Sequence, residues 1–469
     1  CSSDLPDILR LREQIAPQAI SAGALLELDE YVENSEHIKD DTQMLEAVRL
    51  RLSTDATGEW RNKLYAVGFG IRDGSAPEPL LSFITRWDLY EELGHPEVTR
   101  WEDYLPILQD MLELEPTNDQ GQKNYAFSGW WATNLWTVNV MASGLLGYQA
   151  LSTKIPTGGT GLEVIYDFNT GTIRNALTEP DSPYWRVVEF YNKANQMGLV
   201  DPDAPVMKQQ DYVAKVDAGR VFVVFGHWHI NEIAKRFAQE GEGRGYVSMP
   251  PLPTDPRPIF KYNRALYYSR PWSINAETRH PDKAFEVFDF MHSQYGTLTA
   301  WSGAEGDTWD MVNGVPTLRE EAIDGFFNDP DFKSNHGVEF YKLFSGDWRM
   351  TSLDEYGGVP GSLYAAPEIM AANLRPAEKA AAEYYDVTTL NDLFTTENAR
   401  MGDDGIYFML DFYRELANVS ADDLSRMKAI GTELKAYHLN GIVQAIMAPN
   451  DEEFQAKKAE AIERFIDLG

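Results

Sequence analysis

Apolar and polar positions follow two periods along this chain, and the periods take turns. Short continuous apolar runs, which predict strands, are followed by stretches where apolar residues recur every three or four positions, as on one face of a helix. The clearest run is in 217–226, where Val221, Phe222, Val223, Val224 and Phe225 stand between Gly219 and Gly226. An unbroken apolar series of this length predicts a strand covered on both faces. Further strands are predicted at 8–11, 63–68 and 79–85. Helices are predicted at 13–21, stopping at Gly23, and at 101–113, starting after Thr99. Another opens at Pro281, a residue favoured at the first helical position, and places Ala284, Phe288, Met291 and Tyr295 on one face. The tail reads as helices at 422–439, 441–447 and 451–468. Strands alternating with helices predict an α/β fold. The sequence has no internal repeat. The Gly/Pro-rich stretch 249–258 is the predicted crossing between domains, with a second near 357–361.

Length and composition narrow this picture. With 469 residues the chain exceeds one ordinary core and suits two or three domains. Its 43% hydrophobic and 24% charged residues are those of a globular protein. No run approaches the ~18 apolar residues of a membrane-spanning helix. The net charge of −32, from 41 basic and 73 acidic residues, repels phosphate backbones and anionic lipid, so no nucleic-acid partner is expected. A single cysteine, Cys1, allows no intrachain disulfide and no cysteine-ligated metal site. A cysteine in first position suggests a lipid-bearing thiol. Here, however, Cys1-Ser2-Ser3-Asp4-Leu5-Pro6 runs into predicted structure without a polar tether, which suggests a chain that starts inside its natural protein.

The candidate chemistry is aromatic. Among the 12 tryptophans, Trp130, Trp131, Trp136, Trp228, Trp272, Trp301 and Trp309 fall at predicted loops or element ends. Sugars present flat C–H patches rimmed by hydroxyls, so a sugar site wants aromatic platforms beside carboxylates, amides and guanidinium groups. Any one of these rings fits a core equally well; the group carries the expectation. Gly226-His227-Trp228-His229 follows the buried strand, and in open α/β sheets ligands gather at the carboxyl ends of strands. His227 and His229 are too few for a metal site, so no metal is expected there. Residues 115–124 faintly resemble a calcium loop. With Gly121 at the sharp turn, Pro116 falls where the first carboxylate belongs and Gln120 where another oxygen ligand belongs, so a plain polar turn is expected. The sequence lacks G-x-S-x-G, G-x-x-x-x-G-K-[ST] and H-E-x-x-H, and Gly68-Phe69-Gly70 lacks the third glycine of a dinucleotide fingerprint. No catalytic residue and no cofactor is expected. Paired carboxylates for glycoside hydrolysis are not singled out by spacing, which keeps a carbohydrate-active enzyme as the alternative.

Four stretches in order resemble the extracellular solute-binding proteins of carbohydrate ABC importers, family 1, the maltose-binding-protein-like proteins, and most closely the larger lipoprotein members. These are Ser3-Asp4-Leu5-Pro6-Asp7-Ile8 with 21–29; 83–94 with Thr99-Arg100-Trp101-Glu102-Asp103; 218–228; and Arg279-His280-Pro281-Asp282-Lys283-Ala284 with Tyr295-Gly296, 303–309 and Gly314-Val315-Pro316. They span most of residues 3–320. The resemblance implies a two-lobe, type II periplasmic-binding-protein-like fold with hinge crossings, from which the family's opening strand and helix are missing. It assigns 1–88 with 265–320 to one lobe, 89–264 with 321–440 to the other, and 441–469 to C-terminal helices. It implies an oligosaccharide ligand held in a cleft that closes by hinge motion, delivery to ABC importer membrane subunits, a monomer, and an extracellular place, either lipid-anchored or periplasmic. The expected ligand contacts are Arg12, Glu13, Gln14, Trp272 and Trp301 from the first lobe, and Trp130, Trp131, His227 and Trp228 from the second. Glu305, Asp307 and Trp309 are added from the loop after the Pro281 helix. A solute-binding protein for an amino acid, polyamine or metal is the remaining alternative.

Overall fold

The strand Ile8–Arg10 pairs antiparallel with Trp272–Ile274, far along the chain, so the polypeptide leaves its first domain and returns to it. The structure is a computed structural model. It describes residues 5–10, 15–52, 63–68, 81–150, 160, 162–241, 243–252, 259–261, 271–339, 352–395, 397, 400–401 and 419–469. Contacts divide the chain into two compact units. The first comprises Cys1–Ala76, Tyr262–Asn373 and Ile406–Leu424; the second comprises Pro77–Lys261, Leu374–Gly405 and Ser425–Gly469. Residues 321–373 thus group with the first unit, not with the second lobe as expected, and the C-terminal helices belong to the second unit.

In the first unit, Leu25 bridges Asn275 and Val67 bridges Trp272. The strand expected at 63–68 is reduced to that single bridge. The helix Pro281–His292 buries Ala284, Phe285, Phe288 and Met291. It ends earlier than the apolar spacing suggests, and Tyr295 belongs to a separate helix, Gln294–Ser302. Ser293 makes the break, because its hydroxyl accepts the backbone N–H of Gly296 and caps the new helix. The hairpin Trp309–Val312/Val315–Leu318 follows. A small core of Leu298, Trp309, Leu353 and Leu363 lies beneath it.

The second unit is built on a three-stranded antiparallel sheet whose central strand is Leu81–Arg86. Val223–Gly226 lies on one side, with Ile84 opposite Val224, and Tyr246–Ser248 on the other, with Arg86 opposite Tyr246. Val223–Gly226 is buried along its whole length, as its apolar run predicts, but it is shorter than 217–226. Asp217 ends the helix Gln209–Asp217, and Val221 makes only a parallel bridge to Tyr125. The expected helix at 101–113 is present as the 3₁₀ turn Trp101–Asp103 continued by Tyr104–Leu114, with Tyr104, Leu105, Ile107, Leu108 and Met111 buried. The tail predicted as two helices at 422–447 is one, Ala421–Ile446. Asn192 stops it: its buried side-chain amide faces the carbonyl oxygens of Ala445, Ile446 and Ala448 at 3.2, 3.0 and 2.8 Å. The final helix, Asp451–Leu468, is capped by the side chain of Asn450. Among the described residues no helix is long and apolar enough to cross a membrane.

Candidate functional site

The buried strand Val223–Gly226 delivers the chain into a tight 3₁₀ turn, His227–His229, from which the amphipathic helix Asn231–Glu240 departs. Ile233, Ala234 and Phe237 anchor that helix in the interior. The turn is therefore held at both ends, and its central residue projects outward: Trp228 is 49% exposed, an unusual position for the largest apolar side chain.

Behind Trp228 stands a cluster of rings. Trp136 lies 5.6 Å from it, and Trp130 stacks on Trp136 at 5.5 Å with planes only 18° apart. His229 fills the centre, 5.4 Å from Trp228, 5.2 Å from Trp136, 5.7 Å from Trp130 and 5.3 Å from Tyr212. Exposure grades across the cluster, from Tyr212 and Trp130 in the interior, through half-buried Trp136, to Trp228. Burial pushes the His229 pKa down to about 4, so the imidazole is neutral near pH 7. Its Nε2 accepts the indole N–H of Trp228 at 3.1 Å.

On the other side of the turn, half-buried His227 places Nε2 3.0 Å from Ser248 Oγ, which is 2.8 Å from Ser82 Oγ. This chain of hydrogen bonds ties the turn to the other two strands of the sheet. A serine beside a histidine invites comparison with a nucleophile and its base, but Ser248 and Ser82 are buried, out of reach of a substrate carbonyl.

The other expected site residues divide by burial. Trp131 is 1% exposed and donates its indole N–H to Thr137 Oγ1 at 3.0 Å. Gly129 makes room for this, since a Cβ there would fall 2.3 Å from the Trp131 nitrogen. Trp309 is fully buried and donates to the Gly303 carbonyl at 2.9 Å. Both rings are core members whose polar atom is already used, which corrects the expectation that they face a ligand. Trp301 is buried against Met291 and Ala300. Trp272 is half-buried in its strand, with the Arg10 guanidinium 5.9 Å from its ring. Glu305 and Asp307 are exposed in the first unit; Glu305 accepts from Tyr295 Oη at 3.0 Å, and Asp307 lies 2.9 Å from His336 Nδ1. Arg12, Glu13 and Gln14 lie outside the described residues.

Of the expected residues, the second unit thus brings Trp130 and Trp228 into one cluster, with His227 alongside. Sequence reasoning placed Trp136 in the tryptophan group but left it out of the expected ligand contacts, and weighed His229 only as a metal ligand. Trp136 carried a usable signal: it lies six positions beyond Trp130, at the start of the helix Trp136–Val140. The placement of the turn rested on the carboxyl ends of strands in an open α/β sheet, whereas here the neighbouring strand runs antiparallel.

No protein-family model matches the chain, and no curated protein does. Solved structures do. The alginate-binding protein AlgQ2, without calcium ion, superposes with a TM-score of 0.56 at 14% identity over 100% of this chain and 84% of its own. An HMO-binding, ABC-transporter-associated solute-binding protein from Bifidobacterium longum infantis gives 0.54 at 13% identity, over 100% and 87%. An extracellular solute-binding protein from Bifidobacterium longum subsp. infantis gives 0.53 at 14%, over 100% and 86%. The chain has the solute-binding-protein fold. At these identities the likeness is one of architecture, and function has to be argued from the side chains.

Proposed function

We propose that this protein binds a sugar, an oligosaccharide, outside the cell and passes it to the membrane subunits of an ABC importer, acting as a monomer and doing no chemistry on its ligand. One observation carries the reading. Trp228 holds an indole face open to solvent while Trp136, Trp130 and His229 fix it from behind. A fixed aromatic face is what the C–H surface of a pyranose stacks on, and holding it in advance lowers the ordering cost of binding.

The fold supports the reading, since AlgQ2 and the Bifidobacterium proteins are binding proteins by their descriptions. The cluster's chemistry supports binding over hydrolysis. A glycosidase acts through two carboxyl groups across the scissile bond, whereas the cluster around Trp228 is made of rings, Trp136, Trp130, Tyr212 and His229. The charge of −32 favours a neutral oligosaccharide over a polyanionic one.

The test is titration of the protein with maltotetraose, cellotetraose and an alginate tetrasaccharide, followed by tryptophan fluorescence and thermal shift. A ligand at 100 times its Kd adds about 2.7 kcal/mol of stability, a visible rise in Tm. Binding without released reducing ends on long incubation is the expected result. Release of reducing ends at enzyme-like rates would make the protein a hydrolase.

A further inference from the structure

The hydrogen bond between Trp228 and His229 fixes more than a distance. An indole nitrogen can only donate, so the His229 Nε2 it reaches at 3.1 Å has to be the bare, accepting nitrogen of the ring. In the neutral imidazole the proton then sits on Nδ1. Among the described residues, Nδ1 is buried without a hydrogen-bond partner. What surrounds it is aromatic: the His229 ring meets Trp130, Trp136 and Tyr212 at 73°, 86° and 84°, arrangements in which a ring edge faces a π cloud. Such surroundings accept an N–H weakly and favour keeping the ring uncharged.

Trp228 is confined from other directions too. Its six-membered ring lies over the backbone of Gly226, where a Cβ would come within 2.7 Å of Cζ2. Trp136 closes another side at 5.6 Å. An exposed tryptophan ordinarily samples several rotamers; this one is held by a hydrogen bond, a glycine and a ring. Because its N–H is consumed internally, the outward surface offers π density and no donor.

We propose that His229 is a positioning residue, which as its Nδ1–H tautomer accepts a hydrogen bond from the Trp228 indole N–H and presents Trp228 as a fixed one-faced platform that recognises the C–H face of a sugar and not its hydroxyls. The proposal rests on the reading of Trp228 as the sugar-stacking residue, but its first test needs no sugar.

That test is nitrogen NMR of the ligand-free full chain, with the Trp228 indole signal assigned by its loss in Trp228→Phe. The expected spectrum shows His229 with Nδ1 protonated and Nε2 bare, and a Trp228 indole N–H that exchanges with solvent roughly fivefold to tenfold more slowly than in His229→Leu, the change expected for one hydrogen bond. His229→Gln, whose amide oxygen can accept the same proton, should restore most of the protection. The opposite tautomer in the wild-type protein, or a Trp228 N–H that exchanges equally fast with and without His229, overturns the proposal, and the tautomer measurement stands even if a variant folds poorly. Titration with maltotetraose and cellotetraose then separates the two ideas. Slow exchange with no sugar bound leaves the positioning role standing and removes the sugar-binding function. Sugar binding of equal strength in wild type and His229→Leu keeps the function and removes the positioning role. Both stand if affinity falls several-fold in His229→Leu and recovers in His229→Gln.

Discussion

The indole of Trp228 rests on Gly226: a Cβ built on that glycine would lie 2.7 Å from Cζ2 and 2.8 Å from Cε2, closer than real atoms approach. The backbone of Gly226 is extended, with φ −138° and ψ 126°, which any residue adopts. Gly226→Ala therefore strains the side chain opposite and not the main chain. Trp228 is exposed and can swing away, so the fold should survive with Tm lowered by no more than a few degrees. Oligosaccharide affinity should fall about tenfold, roughly 1.4 kcal/mol. Calorimetric titration beside a melting curve checks both, and unchanged affinity would show that the ring's resting place does not matter to the ligand.

Acid should destabilise the protein through two histidines. Burial pushes both His229 and His438 down to about 4. In the unfolded chain each titrates near 6.5. Between those values the unfolded state binds protons that the folded state refuses, so stability is complete above about pH 6.5 and declines as pH falls toward 4, by up to roughly 3 kcal/mol per residue. Carboxylates held low, such as Asp203 beside Lys215, act only below their ordinary range near 4, so the two effects separate. His438 lies 2.6 Å from Tyr184 Oη. His438→Gln keeps an acceptor for that hydroxyl and removes the titration, and should flatten the fall in Tm between pH 6.5 and 4.5. A fall of unchanged steepness would count against this assignment.

How much of this was readable beforehand depends on what each residue answers to. The run at Val221–Phe225 and the periodic tail declare themselves, because burial on both faces or on one helical stripe leaves a pattern along the chain. Trp130 and Trp131 are neighbours with the same side chain and both are buried, yet one joins the ring cluster behind Trp228 and the other does not. That choice is made by Thr137 and by the absence of a side chain at Gly129, partners a linear reading does not pair. The pattern divides the tail between Leu439 and Gly441, but one helix runs through both, with Gly441 beside the Tyr437 ring. Ser293, a modest signal, ends a helix whose apolar spacing continues, because a capping hydroxyl overrides periodicity where the next N–H needs a partner.

The loop at 115–124 should be indifferent to calcium. Asn118 closes it from inside: its carbonyl oxygen accepts the N–H of Gln120 at 3.1 Å and of Gln122 at 2.9 Å, while its amide donates to the Ala218 carbonyl at 2.9 Å. Arg244 reaches Asp119 at 3.1 Å and Glu115 at 3.4 Å, so a guanidinium already occupies the place where the loop's carboxylates would draw a cation. Millimolar calcium or a chelator should leave Tm unchanged, whereas Asn118→Ala should cost about 1–3 kcal/mol by orphaning those backbone groups. A clear calcium-dependent rise in Tm would contradict the self-closed loop.

The second unit should depend heavily on Arg86, whose side chain is fully buried at the end of the central strand. It grips two carboxylates in bidentate fashion: Nε and Nη2 donate to Asp88 at 2.8 and 2.5 Å, and Nη1 and Nη2 to Glu115 at 2.8 and 2.9 Å. Phe237 and Phe222 lie 5.1 and 5.6 Å from the guanidinium carbon. Burial lowers the guanidinium pKa, and the hydrogen bonds it donates to Asp88 and Glu115 more than reverse that, so the charge is permanent. Arg86→Met would leave two largely buried carboxylates facing each other, with Arg244 the nearest remaining cation for Glu115. The loss should be about 3–5 kcal/mol, because breaking a buried pair costs far more than the pair contributes net. Arg86→Lys should recover little, since an ammonium cannot make four planar contacts. Neutralising the partners, in Arg86→Met with Asp88→Asn and Glu115→Gln, should restore a large part of the stability, because an amide without charge is cheap to leave there. Denaturant unfolding of the three variants decides it. If the triple variant is no more stable than Arg86→Met, the guanidinium matters for its shape and packing against Phe237, and the charge balance is secondary.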